Sequence, residues 1–260
     1  MTAEPSHLDR IRAQFTKQWD VYARLTQTND DKPLAGIVRA SGIKPGQRVL
    51  DVACGPGFLT RAFARAGAET VGFDATEAFL VFARAEARDE GLTTVEFRDG
   101  DAEQLPFEDA TFDVVACRAA FHHFPRPAHV LAEMRRVCRP GGRVLVADLL
   151  GSDDPERAAY HDRIERLCDP THVRALPAAE IERLFAEAGL RIVAAPRGTM
   201  DYDAEEWIAH GGPDAATTRE IIALLEAAID GDRAGLRARR ENGALRFTHQ
   251  TALFIGERTD

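Results

Sequence analysis

The sequence has little cysteine and no long apolar run, and each absence excludes a class of protein. Its 260 residues contain four cysteines, Cys54, Cys117, Cys138 and Cys168, none in a CxxC pair. A disulfide scaffold needs more cysteines in a shorter chain, so these four are predicted to be free and mostly buried. No stretch approaches the about 20 apolar residues of a membrane-spanning helix. Residues 1–15 carry charges where a signal peptide is apolar, which predicts a cytoplasmic protein without membrane contact.

Positive charge is scarce as well. Thirty-three basic residues stand against 42 acidic ones, a net charge of −9. Because nucleic acids are bound mainly through neutralised phosphates, this balance predicts no nucleic-acid partner. The densest basic group, within residues 233–240, is interpreted as a solvated helix face. No pattern in the sequence indicates an oligomeric state.

Residues 46–150 contain short apolar segments that alternate with helical patterns. Continuous apolar strands separated by helices are typical of a parallel sheet covered by helices on both faces. The fold class predicted is a doubly wound, Rossmann-like α/β fold. The five strands are predicted at residues 49–53, 70–73, 94–97, 112–116 and 143–147.

The pattern changes after residue 150. Residues 190–194 predict a sixth strand, and the alternation of apolar residues over 245–255 predicts a seventh that runs antiparallel to it. The sheet is therefore expected to have seven strands, mostly parallel, with an antiparallel last strand. Residues 203–240 are predicted to be a helical insertion within a domain spanning 36–260.

Residues 1–35 precede this domain. Ile11, Phe15, Trp19 and Tyr22 recur on one face of a predicted helix. This face either packs on the core or closes as a lid over a ligand. Both interpretations are compatible with the spacing.

A glycine-containing turn follows the first predicted strand. Gly55 and Gly57 allow a ligand to approach the backbone, and the helix that begins there favours electron-rich groups. A dinucleotide fingerprint would have a small residue in place of Thr60. The carboxylate of Asp51 would repel a pyrophosphate but attract an ammonium group. The turn therefore opposes a nicotinamide-dependent oxidoreductase.

Two further acids follow the next strands. Asp74 ends the second strand, where its carboxylate can accept hydrogen bonds from two ribose hydroxyls. Asp101 follows the third strand and could accept a bond from an adenine amino group, while the Ala102 N–H meets the ring. These positions suit a nucleoside ligand.

Four segments together resemble the class I S-adenosylmethionine-dependent methyltransferases. The resemblance covers residues 45–150 and is closest to the small-molecule branch around ubiquinone and menaquinone biosynthesis. GQRVLDVACGPGF resembles motif I, VGFD the ribose-binding acid, GDAEQLPF the adenine segment, and LAEMRRVCRPGG the turn before the fifth strand (residues 46–58, 71–74, 100–107 and 131–142).

The resemblance implies S-adenosyl-L-methionine as cofactor. The resemblance implies residues that contact the methionine end, the ribose and the adenine of this cofactor. Tyr22 of the predicted N-terminal helix is also predicted to bind it. The cofactor-binding residues predicted are Asp51, Ala53, Gly55, Gly57, Asp74, Phe79, Asp101, Ala102, Arg118 and Tyr22. Arg118 rests on the resemblance alone.

Methyl transfer needs an acceptor aligned with the methyl carbon, and a hydroxyl or carbon acid also needs a base. The acceptor is expected outside the carboxyl ends of the strands. The catalytic candidates are His122, Asp148 and His172, each with an alternative structural role; His123 is an alternative to His122. Residues proposed to recognise the substrate are Tyr160, His161, His172 and Arg174, although Arg174 could instead pair with Glu165 or Asp169.

No metal site is predicted. Cys117, His122, His123 and His129 have suitable ligand atoms, but their spacing matches no standard zinc site.

The function predicted is transfer of a methyl group from S-adenosylmethionine to a small organic acceptor at an O, N or C centre, releasing S-adenosylhomocysteine. One alternative is an RNA or protein methyltransferase on the same scaffold. Another is a cofactor-binding protein, or an enzyme that transfers no methyl group.

Overall fold

The computed structural model describes residues 4–23 and 31–260 of the chain. The elements in its first half are α1 (His7–Ala23), α2 (Asp31–Ser41), β1 (Arg48–Val52), α3 (Phe58–Arg65), β2 (Glu69–Asp74), α4 (Glu77–Asp89), β3 (Val95–Asp99), β4 (Phe112–Arg118), α5 (Pro127–Val137) and β5 (Cys138–Leu149). The five strands form a parallel sheet with the order β3-β2-β1-β4-β5.

The second half completes the sheet with antiparallel strands. Its longest strand lies between β5 and the sixth strand and is antiparallel to both. The elements are α6 (Pro155–Cys168), α7 (Ala178–Glu187), β6 (Leu190–Ala194), β7 (Arg197–Asp203), α8 (Ala204–Gly211), α9 (Ala215–Ile229), β8 (Arg239–Glu241) and β9 (Ala244–Arg258). The predicted α/β fold class and the antiparallel last strand are confirmed.

The described chain forms nine strands, where seven were predicted. The two additional strands, β7 and β8, both pair with the first half of β9. Since β5 pairs only with residues 251–257, the rest of this long strand presents backbone groups that need other partners. β7 and β8 supply those hydrogen bonds on its two edges.

Alternate residues of the central strands enter different cores. Leu50 and Val52 of β1 pack on one face of the sheet, and Val49 packs on the opposite face against α2 and α3. All three are fully buried, and burial of each such side chain contributes about 1.5–3 kcal/mol. The two layers of helices therefore hold the sheet rigid, and its carboxyl edge can carry a site.

A separate small core joins the helices of the second half to β9. It is built from Ile164 of α6, Ile208 of α8, Ile221 and Leu225 of α9, and Phe247 of β9. The basic group within 233–240 is not a helix face: Arg239 and Arg240 lie on β8, where they form ion pairs with Asp201 and Glu226.

Among the helices that the structure describes, none combines the length and the apolar character that a membrane crossing requires.

Candidate active site

A cavity of about 380 Å³ opens at the carboxyl ends of β1, β2 and β4. The chain leaves β1 through a tight turn in which Ala53 and Gly55 have φ angles of 54° and 52°. Side chains rarely adopt this left-handed region. A Cβ atom on Gly55 would meet nothing within 4 Å, so this part of the turn presents open backbone to the cavity. The space is available to a ligand.

Asp51 forms the floor of this cavity. Its side chain is buried, and one carboxylate oxygen accepts a hydrogen bond of 2.6 Å from the hydroxyl of Thr60. Burial raises the pKa of Asp51 to about 7, although the Thr60 bond and the charge of Arg118 oppose the shift. A positively charged group bound here would favour the carboxylate. Thr60, singled out in the sequence only because it opposes a dinucleotide site, therefore holds Asp51 in place.

Asp74 ends β2 on the other side of the turn. Its two oxygens accept backbone N–H groups from Gly55 and Thr76, both at 2.8 Å. Burial raises the pKa of Asp74, and these two bonds counteract the rise. Each carboxylate oxygen has a second lone pair that a hydroxyl can use.

The rest of the wall contains most of the predicted cofactor residues. Phe79, Asp101, Ala102 and Arg118 all line the cavity. Gly57 alone of those described stays outside the wall: a Cβ there would come within 2.9 Å of both Ala83 and Phe97. The absence of a side chain at Gly57 allows α4 and β3 to pack closely behind the turn.

Helix α1 covers this cavity. Ile11 and Phe15 line it, and the ring of Phe15 lies 5.7 Å from that of Phe79, centroid to centroid. Polar bonds attach the helix at its edges: Arg12 donates to the carbonyl of Ala75, and Gln18 to that of Gly211. Tyr22 lies in α1, but its side chain is outside the part of the chain that the structure describes.

A second cavity of about 750 Å³ adjoins the first. Arg118, Ala119 and His123 border both cavities. Arg118 ends β4, and Ala119 and His123 lie in the segment that follows it, so the two spaces meet at the end of this strand. A methyl donor in one cavity and an acceptor in the other would meet at this wall.

His122 and Asp148 form a hydrogen-bonded pair in the wall of the second cavity, which we call the acceptor cavity. Nδ1 of His122 donates to the Asp148 carboxylate at 2.7 Å. The carboxylate also accepts backbone N–H groups from Phe121, His122 and Leu149. With four donors around it, Asp148 orients the imidazole.

The charges of this pair support one another. Burial favours the neutral form of each group, but each is shifted more strongly by the other. The pKa of Asp148 lies below its ordinary value, and that of His122 above it. His122 is therefore more basic than the neighbouring His123.

His123 and His172 differ from His122. Nδ1 of His123 donates to the carbonyl of Thr171, and burial together with the charge of His122 lowers the pKa of His123 to about 3. His172 also lines the acceptor cavity, its ring 5.4 Å from that of His122, and donates to Asp162 at 2.8 Å. The structure thus brings all three catalytic candidates to one cavity.

Two residues predicted to recognise the substrate have other partners. Tyr160 donates its hydroxyl to the carbonyl of Leu224 in α9. Arg174 forms a forked pair with Glu180, at 2.7 and 2.9 Å, rather than with Glu165 or Asp169. Both side chains stabilise the helices around the acceptor cavity.

The acceptor cavity also has residues that sequence reasoning did not single out. Arg197, Met200 and Tyr202 of β7, with Trp207 of α8, form one side of it. The alternation of apolar Met200 and Tyr202 with polar neighbours is a weak strand signal that could have located them.

Comparison with known proteins decides the family. Residues 50–146 match the family described as methyltransferase domain. The chain is 31% identical over 219 residues to the protein named uncharacterized methyltransferase YcgJ of Bacillus subtilis (strain 168), covering 84% of this chain and 87% of that protein. The chain belongs to the S-adenosylmethionine-dependent methyltransferases. The crystal structure of YcgJ matches this methyltransferase with a TM-score of 0.80 at 29% identity, over 87% of this chain and 98% of that one.

A second relative has a more specific name. The ubiquinone biosynthesis O-methyltransferase of Methylococcus capsulatus is 31% identical to this methyltransferase over 218 residues, 80% of this chain and 81% of the relative.

The first cavity fits S-adenosylmethionine, the cofactor of this enzyme family. It presents open backbone at Gly55 and a buried carboxyl group at Asp51. Burial raises the pKa of Asp51, so a bound cation would stabilise its ionised form.

Proposed function

We propose that this methyltransferase acts on a hydroxyl group of a small, mostly apolar organic acceptor bound in the acceptor cavity. The observation that carries the proposal is the His122–Asp148 pair, which lies in the cavity wall beside the three residues that border both cavities. A base at this wall is needed by a hydroxyl acceptor, whereas an unprotonated amine needs none.

The residues of the first cavity divide among the parts of the cofactor. Asp51 pairs with the ammonium group of the methionine end, and the backbone at Ala53 and Gly55 lies against the same end. Asp74 accepts the ribose hydroxyls. Phe79, Asp101 and Ala102 frame the adenine. When bound, S-adenosylmethionine supplies a methyl group on a positively charged sulfur, and that charge is lost on transfer.

His122 acts on the acceptor. Its Nδ1 is committed to Asp148, so Nε2 would take the hydroxyl proton when the acceptor oxygen receives the methyl group that S-adenosylmethionine would supply. Asp148 stabilises the resulting imidazolium, as a carboxylate does for a catalytic histidine elsewhere. The aromatic and apolar side chains of Trp207, Tyr202 and Met200 exclude water from the acceptor.

The relative named as an O-methyltransferase supports an oxygen acceptor. The net charge of −9 favours a small molecule over RNA. A cytoplasmic location remains a prediction from the sequence.

Two measurements test the proposal. Titration calorimetry with S-adenosylmethionine, S-adenosylhomocysteine and NAD should show binding of the first two and not of NAD. Methyl-labelled cofactor should then label hydroxylated aromatic compounds or a metabolite extract, with no label in bulk RNA or protein. Label in macromolecules alone, or cofactor binding without any labelled product, would contradict the small-molecule acceptor.

A further inference from the structure

Three buried side chains with metal-binding atoms meet at the inner wall of the acceptor cavity. His161 and Glu165 lie one turn apart on α6, and His249 reaches them from β9. Their exposed fractions are 2%, 6% and 3%. Glu165 and His249 line the acceptor cavity, and His161 lies behind them. Sequence reasoning missed the group because its members are 88 residues apart, from 161 to 249.

Two of the separations within this group are close to those between ligands of one ion. Oε1 of Glu165 lies 3.2 Å from Nε2 of His161 and 2.9 Å from Nε2 of His249. One ligand atom from each residue lies within 4.8 Å of the other two. Two ligands bound about 2.1 Å from a common ion are about 3.0–3.4 Å apart in octahedral or tetrahedral geometry.

Hydrogen bonding explains only half of this arrangement. Nε2 of His161 bonds to Oε1 of Glu165. Nε2 of His249 is closer to that oxygen than His161 is, yet its orientation gives no hydrogen bond, and this buried atom has no other hydrogen-bond partner among the described residues. A buried polar atom without a partner costs about 1–3 kcal/mol, so the position calls for a ligand.

The chemistry and the surroundings of the group suit a metal. Histidine binds metals through a neutral imidazole nitrogen, and glutamate through its ionised carboxylate. The rings of Tyr202 and Phe247, 5.0 and 5.2 Å from that of His249, shield the group from water.

We propose that His161, Glu165 and His249 bind a divalent first-row transition metal ion. Two imidazoles and one carboxylate form a three-ligand set that leaves coordination positions open, as zinc and non-haem iron sites do. Because two of the ligands line the acceptor cavity, an open position faces that cavity and takes an oxygen atom of the acceptor. This last role rests on the proposed function; metal binding itself does not.

The direct test uses the full-length protein without cofactor or acceptor. After treatment with a chelator, calorimetric titration with Zn²⁺ should show one equivalent bound, and Co²⁺ should give visible absorption bands typical of nitrogen and oxygen ligation. Zn²⁺ at 100 times its dissociation constant should also raise the melting temperature of the protein. Absence of stoichiometric Zn²⁺ and Co²⁺ binding by the folded wild-type protein would overturn the proposal.

Variants locate the ion. Glu165→Gln and His249→Ala should each weaken Zn²⁺ binding at least 100-fold, with circular dichroism confirming that each variant is folded. The matched control is Asp162→Asn, because Asp162 and His172 form a second buried imidazole–carboxylate pair at 2.8 Å. Its Zn²⁺ affinity should equal that of the wild type. Equal affinity in all folded variants would place the ion elsewhere and contradict the assignment.

Failure of the metal site and failure of the proposed function are distinguishable. A protein that binds Zn²⁺ at these residues but labels no hydroxyl acceptor retains the metal site and loses the function. One that labels such an acceptor equally well in the chelated form and binds no metal retains the function alone.

Discussion

The two cavities of this methyltransferase are built in opposite ways. Apart from α1 and Ser6 before it, the wall of the first cavity, which we call the cofactor cavity, comes from residues 51–125, mostly from the loops that follow consecutive parallel strands. The wall of the acceptor cavity draws on segments spread from Gln18 to Leu253. A ligand shared by a family can be held by a compact motif, whereas acceptor specificity is distributed over loops and insertions that vary independently.

The two cavities also differ in the ionisable groups that line them. The cofactor cavity offers two buried carboxylates, Asp51 and Asp74, whose pKa values burial raises. The acceptor cavity offers imidazoles already paired with carboxylates, such as His122 with Asp148. A cationic ligand in the first cavity would stabilise the ionised carboxylates, whereas the imidazole–carboxylate pair of the second suits proton transfer. The predictions below separate these two roles, beginning with the largest effect.

Replacing His122 should damage turnover and leave cofactor binding intact. His122→Asn removes the proposed base, so kcat should fall by about 10²–10⁴-fold. The dissociation constant for S-adenosylhomocysteine, measured by calorimetry, should stay within twofold of the wild-type value. The control is His129→Asn on the exposed side of α5. Full turnover by His122→Asn with the true acceptor would remove His122 from the mechanism.

The pH dependence of turnover tests the same pair. His122 must be neutral to accept a proton, so kcat should rise with pH through its pKa, which lies above the ordinary value of 6.5. In Asp148→Asn the strongest charge that opposes the burial of His122 is lost, and only the weaker effects of Glu165 and Asp169 remain. The midpoint of the profile should therefore move to lower pH. A midpoint that does not move would mean that Asp148 does not set the basicity of His122.

Replacing Asp51 should have the converse effect. Asp51→Asn removes the proposed charge partner of the cofactor ammonium, and this should cost about 2 kcal/mol or more, which is about 30-fold in affinity. Calorimetry with S-adenosylhomocysteine measures it, and Thr60→Val, which removes only the supporting hydroxyl, should show a smaller loss. Unchanged affinity in Asp51→Asn would break the assignment of the methionine end.

Cofactor affinity should itself depend on pH. Asp51, with a pKa of about 7, is mostly protonated at pH 6 and mostly ionised at pH 7.5. Since only the carboxylate attracts the ammonium group, affinity for S-adenosylhomocysteine should rise about eightfold between these values. Calorimetry in two buffers of different ionisation enthalpy should also detect proton release at pH 6. A flat profile in the wild type would contradict a raised pKa.

The smallest effect concerns α1 as a cover. Phe15→Ala should weaken S-adenosylhomocysteine binding about 2–10-fold, since its ring packs on Phe79. Trp19→Ala is the matched control, because Trp19 lies on the same helix but packs on Phe82 at 6.0 Å. Equal affinities in both variants and the wild type would mean that α1 packs on the core without contributing to the cofactor site.

The sequence predicted the parallel half of the fold well because its signals are local. Residues 190–194, predicted as the sixth strand, match β6 at both ends. The turn at Gly55 and the acid at Asp74 follow their strands directly, so their convergence at one edge could be inferred from topology alone.

The rest depended on contacts between distant segments. Arg174 is predicted to recognise the substrate or to pair with Glu165 or Asp169. The chain instead turns at Pro177 and brings Glu180 to it. β8 is three residues long and is defined only by its pairing with β9. The partners of His249 lie on α6, and no local pattern around residue 249 indicates them.

The position of β9 also orders the assembly of the enzyme. This strand comes last of the nine described strands, yet it fills the place between β5 and β6. During synthesis, the cofactor half can form its sheet from β1 to β5 before β9 has emerged from the ribosome. The strands of the antiparallel half have no pairing partner until β9 is available, because β6, β7 and β8 all pair with it. A nascent chain should therefore acquire the ability to hold its cofactor before it can select what it methylates.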